Sequence, residues 1–199
     1  MLYEPGEKSR HVYFPTDSMV SLLAVTERGG GLEVGLVGRE GMVGIALALG
    51  VSKSPMRAIV QGAGSAMRVG AAQFDSELAH SRPLRREVDR CAYLTMATAM
   101  QVAACNKAHV LEARLARWLL MTQDRVSSDK FRFTQEFIAL MLGVRRAGVN
   151  GAAGALQRRK LIRYSRGTMQ ILDRAGLLVA ACACYGVIRK LENARRFTS

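Results

Sequence analysis

Acidic residues are missing from one long stretch of this 199-residue chain. None lies between Glu136 and Asp173, although Arg145, Arg146, Arg158, Arg159, Lys160, Arg163 and Arg166 all fall there. A solvated surface run normally mixes both signs, so a run of one sign marks a face for a polyanion, and nucleic acid is the expected one. Residues 130–199 carry 14 basic and 3 acidic side chains against 15 and 13 in residues 1–129, which places most of the net charge of +13 in the C-terminal third. Long hydrophobic runs are also absent. The longest uncharged ones, 41–52, 91–106 and 175–188, fall short of the roughly 18 apolar residues a spanning helix needs, so no membrane is expected as a partner. The opening Met1-Leu-Tyr-Glu-Pro-Gly-Glu has neither a basic nor an apolar leader region, which makes the cytoplasm the expected location. Cys91, Cys105, Cys182 and Cys184 are too few and too widely spaced for a disulfide framework and are expected as free thiols. Proline is scarce, with none after Pro83, and 49% of residues are hydrophobic, which excludes wholesale disorder and supplies a core.

Short β-like segments fill the first 70 residues. Stretches 11–15, 18–25, 32–37, 57–61 and 66–69 read as strands, punctuated by Gly29-Gly-Gly, Gly38, Gly50, Gly62 and Gly64. Strands at this spacing predict a small barrel or jelly roll, ending near Asp75. A helical pattern starts after His80, where Ser81 can cap and Pro83 suits a first turn. Leu84, Val88, Cys91, Thr95, Thr98, Val102 and Cys105 then alternate in steps of four and three, the period of a two-helix seam. Period alone does not separate such a seam from a helix buried in its own chain. A second helix, 108–126, carries Leu111, Leu115, Trp118 and Leu119 on one face and ends at Ser127-Ser-Asp.

The signals tighten from Phe131 onward. Thr134 is a good N-cap for a helix over 135–142, Gly143 breaks it, and a helix over 145–159 resumes after a short turn: a helix-turn-helix. Leu161-Ile-Arg-Tyr and Thr168-Met-Gln-Ile-Leu flank Ser165-Arg-Gly, a hairpin with glycine where positive φ is easiest, which reads as a wing. Asp173 should cap one last helix holding Cys182, Cys184 and Tyr185. In the second helix of the pair, Arg145 and Arg146 lie at the end that enters a major groove, where a guanidinium bridges guanine O6 and N7. Asn150, one turn on, can pair with adenine. Val149 and Leu156 should face the core. Gly148, Gly151 and Gly154 each weaken an isolated helix by about 1 kcal/mol relative to alanine, so this one leans on packing or on DNA. Their three-residue spacing is no nucleotide cradle, because no phosphate-loop pattern follows a strand. Thr134, Arg163 and Arg166 are the candidate phosphate contacts.

Thr134-Gln-Glu-Phe-Ile-Ala-Leu-Met-Leu-Gly-Val-Arg-Arg, the wing, and the upstream Gly38-Arg-Glu-Gly-Met-Val-Gly together resemble the Crp/Fnr family of bacterial transcription regulators. The order roll, long helix, winged helix covers nearly the whole chain. The resemblance implies an α+β fold with three parts: a β-roll sensor of the cyclic-nucleotide-binding type over 1–80, a long dimerisation helix over 81–107, and a winged helix-turn-helix over 108–199. It implies a homodimer joined along Leu84 to Cys105, double-stranded DNA as partner, and RNA polymerase as a further candidate partner. Tyr3-Glu-Pro-Gly-Glu resembles a point some way into the family's sensor. Arg146 stands where members place a base-contacting arginine, whereas Ala147 and Gly151 replace the acid and the later arginine that follow it.

The same resemblance bears on the effector. Cyclic-AMP-binding members carry Gly-Glu, then an Arg-Ser/Thr-Ala run that clamps ribose and phosphate. Here the matching pocket positions are Gly44 followed by Ile45, and Met56-Arg57-Ala58. Arg57 falls on the opposite strand face if the register is strict, as a surface arginine would. Cyclic AMP is therefore not the expected effector, and another small molecule stays open. Family members with iron–sulfur clusters place cysteines near the N-terminus, where this chain has none, so no cofactor is expected. Cys182 and Cys184, two apart on a helix, would diverge by about 200° and not share a metal, so no metal site is expected. His11, His80 and His109 read as isolated polar residues, and no serine, histidine and carboxylate group suggests an enzyme. A second reading is a ligand-sensing module whose winged helix meets an acidic protein partner instead of DNA.

Overall fold

The computed structural model describes residues 1–26, 30–126 and 128–194; Gly29 and Ser127, named above as boundaries, lie outside them. Five strands form first: β1 (His11–Pro15), β2 (Met19–Val25), β3 (Gly31–Val37), β4 (Met56–Gly62) and β5 (Ala66–Gly70). All are antiparallel, in a sheet ordered β3-β2-β4 and a second pairing β1 with β5, which makes the small roll read from the strand pattern. Residues 19–23 of β2 are all buried, because the strand is covered on both faces. Val20 and Leu22 pack inward with Tyr3, Val37, Val43 and Ala58, while Met19 and Leu23 pack against the helical half. Helix α1 (Ile45–Ala48) is a single turn on the roll's flank.

A helix that the sequence pattern missed follows β5 directly: α2 (Ala71–His80), held by buried Phe74 and Leu78. Two large apolar residues four apart carry too little periodicity to announce it. The long helix α3 (Arg82–Ala108) begins as expected, with Ser81 Oγ accepting from the Leu84 amide at 3.3 Å. Helix α4 (Leu111–Gln123) is buried without a break from Arg114 to Thr122, more than its one-faced pattern implied. It is the central rod of the largest core, where Leu115, Trp118 and Leu119 meet Phe131, Phe133, Ile138, Leu142, Val149 and Leu156.

The last third comprises β6 (Lys130–Arg132), α5 (Gln135–Leu142), α6 (Arg146–Arg158), β7 (Ile162–Ser165), β8 (Thr168–Ile171), α7 (Arg174–Ala180) and α8 (Cys184–Ala194). Strand β6 adds a third strand to the wing, in the order β6-β8-β7. The single C-terminal helix expected after Asp173 is two helices. Asp173 Oδ1 accepts from the Gly176 amide at 2.9 Å and caps α7, but Ala181 is extended (φ −72°, ψ 152°) and breaks the path before α8. No helix among the described residues is long and apolar enough to cross a membrane.

Candidate nucleic-acid interface

Thr134 Oγ1 accepts from the Phe137 amide at 3.1 Å and starts α5. Gly143, at φ +63°, ends it in the left-handed region. A side chain there would be strained, and its Cβ would press on Leu32 at 3.0 Å. Arg145 is extended and opens α6. Val149, Ala152, Ala153 and Leu156 bury one face of this helix, and a Cβ on Gly148 would sit 3.0 Å from Leu111, so glycine there allows α4 to approach closely. Arg145, Arg146, Ala147, Asn150 and Gly151 are exposed on the opposite face.

Gln135 joins two of the candidate base-readers, a link that residue type and spacing did not reveal. Its Oε1 accepts from Arg146 Nε at 3.0 Å and its Nε2 donates to Asn150 Oδ1 at 3.3 Å. Arg146 also pairs with Glu136 at 3.0 Å, with side chains 67% and 62% exposed, so the pair is weak enough to be exchanged for a base or phosphate. Ser165 and Thr168 pair across the wing tip, leaving a two-residue turn in which Arg166 (φ 50°) and Gly167 (φ 76°) are both left-handed. The wing is fixed to the helices by Tyr164, whose hydroxyl donates to Phe133 O at 2.8 Å and whose amide donates to Gln157 Oε1 at 2.7 Å. Burial pushes the Tyr164 phenol up, with Glu136 adding and Arg146 opposing. A notch thus runs between the starts of α5 and α6 and the wing, lined by Thr134, Gln135, Arg146, Ser165 and Arg166. Thr134 is exposed at this rim.

All seven basic residues of the acid-free stretch are exposed. Arg146 pairs with Glu136, and Arg159 with Glu112 at 2.8 Å. Arg145, Arg158, Lys160, Arg163 and Arg166 have no ion-pair partner among the described residues.

Besides the packing of Met19, Leu23 and Leu32, polar and close contacts tie this half to the roll. Trp118 Nε1 donates to Glu33 Oε1 at 3.1 Å, with both residues buried. Arg125, its side chain 5% exposed, sits between Glu40 at 2.8 Å and Glu192 at 2.5 Å. Burial alone would lower its guanidinium, but the two carboxylates outweigh that and raise it. Glu40 Oε1 also accepts from the Gly38 amide at 3.0 Å, so the Gly38-Arg-Glu-Gly segment grips Arg125 just past the end of α4. A Cβ on Gly31 would meet Leu140 of α5 at 2.9 Å, so the strand and helix approach closely there.

In the roll, Gly44 is left-handed (φ +96°) and precedes buried Ile45. Ala58 is fully buried and Met56 packs beside it, both toward the interior. Arg57 points the other way, where Nε meets Glu4 Oε2 at 2.7 Å. Ile45 packs with Val12, Phe74 and Val88, whereas Met56 and Ala58 pack with Tyr3 and Val43, and Arg57 pairs with Glu4 of the N-terminal segment.

The heptad on α3 faces the body of its own chain. Val88 and Cys91 pack with Phe74 and Leu78, Thr98 is buried, Val102 packs with Met19, Leu36 and Ile188, and Cys105 is fully buried; Leu84 and Thr95 are half-buried. Those residues form an intramolecular seam and are not free for the subunit seam expected on them. A second heptad is exposed: Arg86, Asp89, Tyr93, Met96, Met100, Ala103 and Lys107. Three of its members are large and apolar, with Tyr93 60%, Met96 50% and Met100 63% exposed.

Cys182 and Cys184 also depart from the helical expectation. Because Cys182 lies in the α7–α8 junction and Cys184 opens α8, both turn toward Cys105 and His109 at the end of α3. His109 is not isolated: its Nδ1 lies 3.6 Å from Cys184 Sγ. The signal that sequence reading passed over is the four-residue step from Cys105 to His109, which puts both on one helix face.

Residues 113–179 match the model of the Crp-like helix-turn-helix domain. No curated protein matches the chain by sequence. Among solved structures, FixK2 from Bradyrhizobium japonicum superposes with a TM-score of 0.76 at 14% identity, covering 92% of each chain. A transcriptional regulator of the CRP family from Thermus thermophilus gives 0.75 at 21% identity, over 90% of this chain and 92% of that one. The c-di-GMP responsive global regulator CLP of Xanthomonas campestris gives 0.69 at 15% identity, over 85% and 88%.

Proposed function

This chain carries a Crp-like helix-turn-helix domain on the fold of the Crp/Fnr transcriptional regulators, and from that premise we propose that it is a homodimeric, sequence-specific DNA-binding regulator of transcription whose roll does not use cyclic AMP. The observation that carries the reading is the outer face of α6. Arg145, Arg146 and Asn150 stand exposed at its groove-entering end, and Arg166 and Arg163 on the wing flank it with no acid in the intervening sequence. In this reading Arg145, Arg146 and Asn150 read base edges, and Thr134, Arg163 and Arg166 hold phosphates. Gln135 keeps Arg146 and Asn150 in register before DNA arrives.

Two copies meet along the exposed heptad of α3, with Tyr93, Met96 and Met100 as the apolar centre, and the paired recognition helices read half-sites about one DNA turn apart. For the roll, the orientation of Arg57 supports the reading. An anion beside Met56 and Ala58 would have no bidentate guanidinium, because Arg57 pairs with Glu4, and Ile45 offers a ribose hydroxyl no acceptor.

Selection of bound fragments from random duplex DNA tests the proposal. Recovery of a near-palindrome with half-sites one turn apart is the expected result. Recovery of unrelated sequences would overturn sequence-specific regulation and leave a non-specific polyanion binder.

A further inference from the structure

Four ligand-type side chains converge where the long helix hands over to the DNA-binding half. Cys105 belongs to the last turn of α3, and His109 follows it by one turn at the extended joint before α4. Cys182 and Cys184 arrive from the α7–α8 junction, so the cluster closes a loop of more than seventy residues. The three Sγ atoms and a His109 ring nitrogen all lie within 4.8 Å of one another, with Cys105 Sγ to Cys182 Sγ at 3.4 Å and Cys184 Sγ to His109 Nδ1 at 3.6 Å. A tetrahedral zinc ion has Zn–S near 2.3 Å and Zn–N near 2.0 Å, which sets ligand-to-ligand edges of about 3.5–3.8 Å. The 3.4 and 3.6 Å pairs lie within about 0.4 Å of that range, and a pair at the 4.8 Å limit would close by about 1 Å to reach it.

We propose that Cys105, His109, Cys182 and Cys184 form a zinc site that staples the end of α3 to the C-terminal helices. The donor set is three thiols and an imidazole with no carboxylate, which selects a borderline-soft ion over magnesium or calcium. All three cysteines are buried and His109 is half-buried, so the site is closed, as structural zinc sites are. Gln101, one turn before Cys105, donates from Nε2 to Cys184 Sγ at 3.1 Å, the kind of outer hydrogen bond that orients a thiolate ligand.

A second observation points to the same place. Arg114 and Arg117 are 8% and 4% exposed, neither has an ion-pair partner among the described residues, and the Nε of each is buried without a hydrogen bond. Both act electrostatically on Cys105 and Cys182. Zinc bound by three thiolates and a neutral imidazole bears a single net negative charge, which would place a counter-charge beside two buried guanidinium ions that make no ion pair. On binding, each thiol that is protonated gives its proton to solvent, so affinity should fall as the medium is acidified.

The test uses the full chain, reduced and stripped of metal with a chelator. It should take up one Co2+ per chain with the visible absorption of a tetrahedral thiolate site, and Zn2+ should displace the cobalt. Cys184→Ser and His109→Ala should each abolish that absorption while circular dichroism shows the fold retained, and Cys91→Ser should leave it unchanged. Gln101→Ala should weaken zinc binding about tenfold to a hundredfold, measured by competition with a chromophoric chelator. The proposal is overturned if the folded, reduced protein shows no thiolate-to-cobalt absorption, or if uptake survives both the Cys184 and His109 substitutions. A protein that only forms a Cys105–Cys182 disulfide and takes up no metal when reduced would overturn it equally.

Discussion

Trp118 on α4 donates its indole N–H to Glu33 on β3 at 3.1 Å, so the central rod of the helix-turn-helix half is hydrogen-bonded to the middle of the roll. The second carboxylate oxygen of Glu33 is buried without a partner. Burial pushes this carboxyl up to about 7, against the opposing pull of Ser21, Arg117, Arg125 and Trp118.

Glu33 should therefore make stability fall as pH rises. Its folded pKa lies above its ordinary value of 4.5, so the native state binds the extra proton between 4.5 and about 7, and stability is highest below that window and lost through it. Glu33→Gln keeps an oxygen for Trp118 and removes the titration. At about pH 8 the variant should be more stable than the parent by on the order of 1–3 kcal/mol, with the difference vanishing near pH 4.5. Urea unfolding across this range checks it; parallel pH profiles would show that Glu33 stays charged.

The exposed heptad of α3 predicts where subunits separate. Met100→Asp places a charge in the centre of the seam, and sedimentation should then show folded monomers that bind DNA weakly. Val102→Asp buries a charge at a site only 4% exposed and should instead unfold the chain, at a cost of several kcal/mol. A folded monomer from Val102→Asp with an intact dimer from Met100→Asp would return the subunit seam to the inner face.

DNA contacts should separate by type. Arg146→Ala should cost about 1–3 kcal/mol and relax choice at one base pair per half-site, while Arg166→Ala should weaken all sequences alike. Gln135→Ala should reproduce part of the Arg146 loss, since it frees the side chain that Gln135 holds. With roughly six phosphate contacts per dimer, affinity should drop on the order of a thousandfold between about 50 and 200 mM salt. A flat salt response would remove the role given to the basic stretch.

Calorimetric titration with cyclic AMP and with cyclic GMP should give no micromolar binding, because Arg57 is engaged by Glu4 at 2.7 Å on the outer strand face. Micromolar binding of either, coupled to tighter operator binding, would show that Arg57 turns inward or that another group holds the phosphate.

The local pieces were legible in the order of the residues alone. Strand alternation, the Ser81 and Thr134 caps, the Gly143 break and the Arg166-Gly167 turn depend on residues a few positions apart, where backbone sterics and one hydrogen bond decide the outcome. The basic stretch was equally legible, since charge of one sign needs no fold to be counted. Which of two heptads on α3 is buried depended on packing, because Val88 to Cys105 and Tyr93 to Lys107 repeat alike in period and differ in what the roll and α8 cover. The tertiary structure also decided the direction of Arg57, through a strand face and a carboxylate 53 residues away. The gathering of Cys105, His109, Cys182 and Cys184 depended on a break at Ala181 and on contacts across more than seventy residues, which no local period encodes.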